Sequence, residues 1–281
     1  MALMEPREIC IGHSPDPDDA FMFYALTHGK IDTCGLTFTE KIEDIESLNH
    51  RAVEGELEVT AISAHAYGYV MDTYALLPNG GSFGDRCGPI IVANRPMDVG
   101  ELADVRIAVP GTMTSAYLLL KLLLMNFRFE VVPFDRVMEA VKSGEAEAGL
   151  LIHEGQLTYQ QMGLHKVVDL GGWWHADTGL PVPLGVNVVR KNLGKQLMRK
   201  IADLLQQSIE YAHAHREEAV AHAMKYGRGM DAAMTDHFVG MYVNPWTSNM
   251  GEKGREAIAR LLTRGYHAAL LPRPVHLEFV E

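Results

Sequence analysis

Cysteine is scarce in this chain. Cys10, Cys34 and Cys87 are an odd number with no CxxC spacing. That excludes a disulfide framework and a cysteine-built zinc site. Positive charge is also short, with 25 Lys and Arg against 36 Asp and Glu and a net charge of −11. An acidic surface disfavours nucleic acid and anionic membranes as partners. It still permits a small anionic ligand held by local donors. Long apolar runs are missing: Tyr117 to Met125 is the richest, is cut by Lys121, and is far too short to span a bilayer. The opening Met1-Ala2-Leu3-Met4-Glu5-Pro6-Arg7-Glu8 has no apolar signal core, so no export signal and a cytoplasmic location are expected. Asn79 to Arg86 is Gly-rich but lacks the P-loop order, so nucleotide binding is not implied. No His or Cys stands at metal-ligand spacing, and neither metal nor other cofactor is expected.

What the chain does have is an echo. Ala52-Val53-Glu54-Gly55-Glu56-Leu57-Glu58-Val59-Thr60-Ala61-Ile62-Ser63 is repeated in pattern by Ala140 to His153. Gly55 and Gly144, Glu56 and Glu145, and Glu58 and Glu147 fall at one constant offset. Each copy reads as a helix end, a Gly stop and a short buried strand. One strand leads to Ser63 and the other to His153.

The echo extends outward. Glu8 to Gly12 reads as a strand and Ala20 to His28 as a helix, with Asp18 or Asp19 placed to cap it after the prolines at 15 and 17. A strand near Leu36–Thr39, a helix from Asp44 to Glu54 and the strand Glu58–Ser63 complete the first unit. Arg106–Val109, Ala116–Asn126, Phe129–Val132, Asp135–Lys142 and the strand toward His153 repeat it. Strand–helix–strand–helix–strand, twice, predicts two α/β lobes with largely parallel sheets. Cys87–Asn94 leads out of the first lobe and Leu184–Val189 leads back, followed by helices alone. The expected organisation is a discontinuous first lobe (1–94 and 186–281) with an inserted second lobe (95–185). Two crossings make a hinge, and a hinge makes a closing cleft.

Ligands of open α/β sheets gather beyond the carboxyl ends of strands. Gly111-Thr112-Met113-Thr114-Ser115 stands at such an end, before a helix. Its hydroxyls and free N–H groups suit a carboxylate or phosphate, although N-capping alone would use one of them. Ser63 can cap and also donate to a ligand, while His65, two residues on, reads either as packing or as function. His153 is placed for proton transfer near neutral pH; the plain alternative is a structural histidine bonded to backbone. Asp16, Asp18 and Asp19 crowd one loop and serve either acid–base work or an ordinary turn and cap. Trp173-Trp174 either stacks on an aromatic ligand or packs in a core.

Several segments, in order, resemble one family. Ser14-Pro15-Asp16-Pro17-Asp18-Asp19-Ala20-Phe21-Met22-Phe23-Tyr24-Ala25-Leu26 is similar to the opening of the 1,4-dihydroxy-6-naphthoate synthases of the futalosine route to menaquinone. So are Glu43–Asn49, Leu150–Glu154 and Val168–Trp174. The resemblance implies a two-lobed fold like that of type II periplasmic binding proteins. It implies a lyase that turns cyclic dehypoxanthine futalosine into 1,4-dihydroxy-6-naphthoate and dihydroxyacetone, with no cofactor and a small anionic aromatic substrate. By the same resemblance His153 is the base, and Thr114, Ser115 and Ser63 contact the substrate. Asp18 and Asp19 are further candidates for substrate contact. The usual opening of the family is Ser-Pro-Cys-Pro-Asn-Asp; Asp16 and Asp18 depart from it. That departure keeps two other readings open, a non-enzymatic binder of a small acid and a related enzyme such as a chorismate dehydratase.

Overall fold

The computed structural model describes residues 7–281. The expectation drawn from the opening six residues lies outside them. Among the described residues eleven strands make two sheets. The first is ordered β2 (Leu36–Ile42), β1 (Arg7–His13), β3 (Val59–Ser63), β11 (Val182–Arg190) and β4 (Tyr74–Leu76), with β5 (Ser82–Gly84) also on β11. The second is ordered β10 (His165–Asp169), β6 (Ile90–Ala93), β9 (Ala148–Leu151), β7 (Arg106–Val109) and β8 (Arg128–Val131).

The echo is real at the level of topology. β1 lies parallel between β2 and β3, and β7 lies parallel between β8 and β9. Each third strand then takes an antiparallel neighbour delivered by a crossing, β11 on β3 and β6 on β9. The pairing puts Ile90–Ala93 in the second sheet and Val182–Gly185 in the first. Both crossings therefore lie earlier than the expected boundaries at 94/95 and 185/186. A run of apolar residues fits a buried strand of either sheet, and only its partners decide which.

Local chemistry explains the repeated unit. Helix Ile45–Glu54 begins where the Asp44 carboxylate accepts from the N–H groups of Glu46 and Ser47. It ends at Gly55 in left-handed backbone, φ 68°. Helix Val137–Ser143 ends at Gly144, φ 84°, in the same way. Both glycines accept a conformation that a Cβ would disfavour.

One start differs from expectation. The first helix runs Pro17–Thr27, a turn earlier than Ala20. Pro17 occupies its first turn, where a missing N–H leaves no bond unmade. Asp18 and Asp19 are therefore inside that turn, and neither caps it. This helix is buried on nearly every side because helices Lys195–Ala214, Arg216–Ala223 and Ala232–Tyr242 cover what the sheet does not. The Ser208 hydroxyl donates to the carbonyl of Met22 (2.7 Å) and accepts from the N–H of Leu26 (3.1 Å). The tail of helices thus packs on the first lobe, as expected. Its last member, Gly251–His267, also touches helix Ser115–Leu124 of the second lobe. There Ile62, Leu76, Leu150, Trp174 and Leu261 join one apolar core that runs through the junction. Among the described residues, no helix is long and apolar enough to cross a membrane.

Candidate functional site

A cavity lies between the lobes, at the carboxyl ends of β1, β3 and β9. The turn after β1 and the end of β3 supply Asp16, Asp18, Asp19 and Ser63. The second lobe supplies Thr114, Ser115 and His153. The predicted set therefore shares one wall-to-wall space.

The three aspartates are buried but differ in surroundings. Asp19 accepts from the N–H (2.9 Å) and hydroxyl (2.7 Å) of Ser14. Burial raises its pKa, against the nearby His13 and those Ser14 bonds. Asp18 accepts from the Ser82 hydroxyl (2.8 Å). Burial, with the charges of Asp19 and Asp16 beside it, pushes its pKa up to about 7. Asp16 meets a nitrogen base on each oxygen: Oδ2 is 2.8 Å from Nδ1 of His153, and Oδ1 accepts from the Arg228 guanidinium. Burial opposes its charge, but His153 and Arg228 outweigh burial and hold the carboxyl below its usual range.

His153 does not end the strand but follows it by two residues. Its φ is 56°, left-handed backbone that costs a side-chain-bearing residue of order 1 kcal/mol or more. Such a turn aims the ring back at the first lobe. Burial disfavours the imidazolium, yet the Asp16 carboxylate more than compensates and the pKa is raised. Beside a carboxylate Nδ1 carries the proton, so in the neutral ring Nε2 is the basic atom. Among the described residues Nε2 has no hydrogen-bond partner. The Phe134 ring meets the imidazole edge-on at 4.9 Å between centroids.

Ser63 is held by Asn49, whose side-chain oxygen accepts from the Ser63 N–H (2.8 Å) and whose amide donates to Oγ (3.1 Å). The hydroxyl hydrogen of Ser63 stays free to donate. The other two hydroxyls are already engaged. Thr114 Oγ1 accepts from the N–H of Tyr117 (3.1 Å) and donates to the carbonyl of Gly111 (3.1 Å). Ser115 Oγ donates to the carbonyl of Leu184 (2.6 Å) and accepts from the N–H of His65 (3.2 Å). At this helix start the donors left for an anion are the N–H groups of Ser115 and Ala116, which have no partner inside the helix. Glu46 reaches across from the first lobe to accept from the N–H of Met113 (3.0 Å). Gly111 permits this, since a Cβ there would sit 2.3 Å from the Glu46 carboxyl carbon.

Two candidates fall outside the cavity. His65 is buried with Nδ1 donating to the carbonyl of Thr114 (3.3 Å), and burial drops its pKa to about 4. Trp174 is a core residue whose indole donates to the carbonyl of Pro181 (3.1 Å). The sequence reading missed Arg228, Asn49, Gln156 and Tyr242. The Tyr242 hydroxyl donates to Gln156 (2.6 Å), and both residues line the cavity. Asn49 and Glu46 stand within the Glu43–Asn49 segment already singled out; Arg228 carries no local signal. Among the described residues no three acidic, His or Cys side chains gather as a cation site.

Two α/β lobes, two crossings and a cavity between them define the class: this is the fold of periplasmic solute-binding proteins. An alkanesulfonate-binding protein from Xanthomonas axonopodis pv. citri aligns with a TM-score of 0.73 at 13% identity, covering 96% of each chain. That likeness is one of fold alone. A crystal structure of an Archaeoglobus fulgidus protein aligns at TM-score 0.90 and 46% identity, covering 94% of this chain and 98% of that one. The profile of the menaquinone biosynthesis family matches residues 9–267, and this chain belongs to that family. It is 42% identical to a 1,4-dihydroxy-6-naphthoate synthase of Thermus thermophilus over 94% of this chain and 97% of the relative. It is 39% identical to one of Streptomyces coelicolor over 96% of each.

Proposed function

We propose that this chain is a carbon–carbon lyase that converts cyclic dehypoxanthine futalosine to 1,4-dihydroxy-6-naphthoate and releases dihydroxyacetone, with His153 as general base. The observation that carries this reading is the His153 ring. Its Nδ1 is engaged by Asp16 while the ring lines a cavity that also holds the helix start at Ser115 and Ala116 and, from the other lobe, the Ser63 hydroxyl. The substrate carboxylate sits at the N–H groups of Ser115 and Ala116, with the Ser63 hydroxyl donating from across the cleft. Asp18 and Asp19 line the same space. Nε2 takes the proton that starts cleavage, and the gain of aromaticity drives the later steps. Positioning and proton transfer are then the protein's whole task. A closed cleft keeps water from the intermediate.

The departures from the family opening fit the same substrate. The charge of Asp16 is met by Arg228 and His153, and Asp18 is held close to neutrality. Neither presents a full negative charge to an incoming carboxylate. The test is mass-spectrometric product analysis after incubation with cyclic dehypoxanthine futalosine. Appearance of 1,4-dihydroxy-6-naphthoate and dihydroxyacetone is expected. Tight binding with no product would make the chain a small-acid binder, and turnover of chorismate instead would make it a dehydratase.

A further inference from the structure

Asp16 and His153 belong to different lobes, yet their side chains meet at 2.8 Å. Asp16 stands at the N-cap of the first helix, but its side chain makes no capping bond, which leaves it free to meet His153. His153 reaches it through the left-handed turn after β9. Arg228, from the segment before helix Ala232–Tyr242, grips the second oxygen of Asp16. The same guanidinium donates to Glu154, the next residue after His153 (2.8 Å), and to the carbonyl of Pro15 (2.8 Å). It stacks 4.7 Å from the Phe134 ring, which in turn walls His153. The Asp16–His153 and Arg228–Glu154 contacts both cross the cleft.

We propose that Asp16 is the positioning residue of the base: it fixes the Nδ1–H tautomer and the ring angle of His153, and does so only when the lobes are closed. This deepens the preceding reading and rests on it for the role of His153. Opening the cleft would separate the pair. The family pattern has Cys at this position, and an un-ionised thiol would not supply a full charge there.

The charged groups facing the imidazole are few. Asp16 and Asp18 face it from the first lobe, Glu154 from its own turn, and Arg228 from the helical tail. The carboxylates favour the imidazolium and Arg228 opposes it. Activity that needs neutral His153 rises with pH through its pKa. Removing the charge of Asp16 must therefore move that rise to lower pH, and removing the charge of Arg228 must move it to higher pH.

The experiment compares wild type, Asp16→Asn and Arg228→Met in two ways. One is kcat/KM against pH with cyclic dehypoxanthine futalosine. The other is titration of the His153 ring by NMR, which needs no turnover. The expected result is a loss of about 10- to 100-fold for Asp16→Asn at its own optimum. The rise and the NMR titration should move together, down for Asp16→Asn and up for Arg228→Met. Asp16→Asn activity at its own optimum equal to wild type, or neutral wild-type His153 protonated on Nε2 rather than Nδ1, overturns the proposal. If Asp16→Asn does not fold, the upward shift in Arg228→Met, together with Nδ1 protonation of neutral His153 in wild type, decides the matter alone. Absence of turnover in wild type with the NMR shifts intact would instead overturn the lyase reading and leave the pairing standing.

Discussion

Two histidines, His65 buried and His153 half-buried, stand where the lobes meet, and they behave in opposite ways. His65 reaches from the first lobe to the carbonyl of Thr114, has no carboxylate near it, and is driven to about 4 by burial. His153 reaches from the second lobe to Asp16 and is raised above the ordinary imidazole value. Burial acts on both in the same direction. The lesson is that a charged partner, not depth, separates a fixed strut from a titratable base. The surroundings agree: the apolar core through Ile62, Leu150 and Trp174 lies on one part of the junction, and the acidic loop and Arg228 on the other.

Substitutions sharpen this contrast. His153→Ala should have the largest effect, a loss of about 10²- to 10⁴-fold in kcat, the usual range for removing a general base. Steady-state assay with the cyclic futalosine reads it; retention within a few-fold would make His153 a strut like His65. Asp18→Asn should act through charge and be seen in stability. A buried acid whose folded pKa is raised to about 7 costs stability above its unfolded value, and the cost grows until pH passes the folded one. The variant should therefore melt a few degrees higher, with a larger gain at pH 8 than at pH 5. An equal gain at both would show that Asp18 is not protonated in the folded protein. His65→Gln should be mildest. Loss of one buried hydrogen bond costs about 1 kcal/mol of stability, with kcat/KM within about threefold of wild type, as expected for a group that transfers no proton. A large fall in kcat with an altered pH profile would erase the distinction between the two histidines.

Much of the scaffold was readable from residue pattern. The Gly55 and Gly144 stops and the parallel triplets of strands are local consequences of φ preference and apolar period. Ser63, Thr114, Ser115 and His153 were legible as candidates because they follow strands, and the cavity does gather them. That the hydroxyls of Thr114 and Ser115 spend their hydrogens on protein carbonyls was not legible. Leu184, which accepts from Ser115, enters by the return crossing, far along the chain. The helix start was misread because prolines usually end helices, while Pro17 sits in the one turn that tolerates it. The lobe boundaries were misread because β6 and β11 are buried apolar strands whose allegiance depends on their partners.

The sequence by itself determined the two similar α/β units, their glycine stops, and which polar residues come after which strands. Each of these arises from interactions within a few residues, so it is written locally. Only the tertiary structure decided that Asp16 meets His153, that Arg228 joins Asp16 to Glu154, and that Asp18 is left without a paired cation. The pairings bring together segments distant in the chain. Their chemistry depends on the burial and charge that arise only once two lobes close on one another.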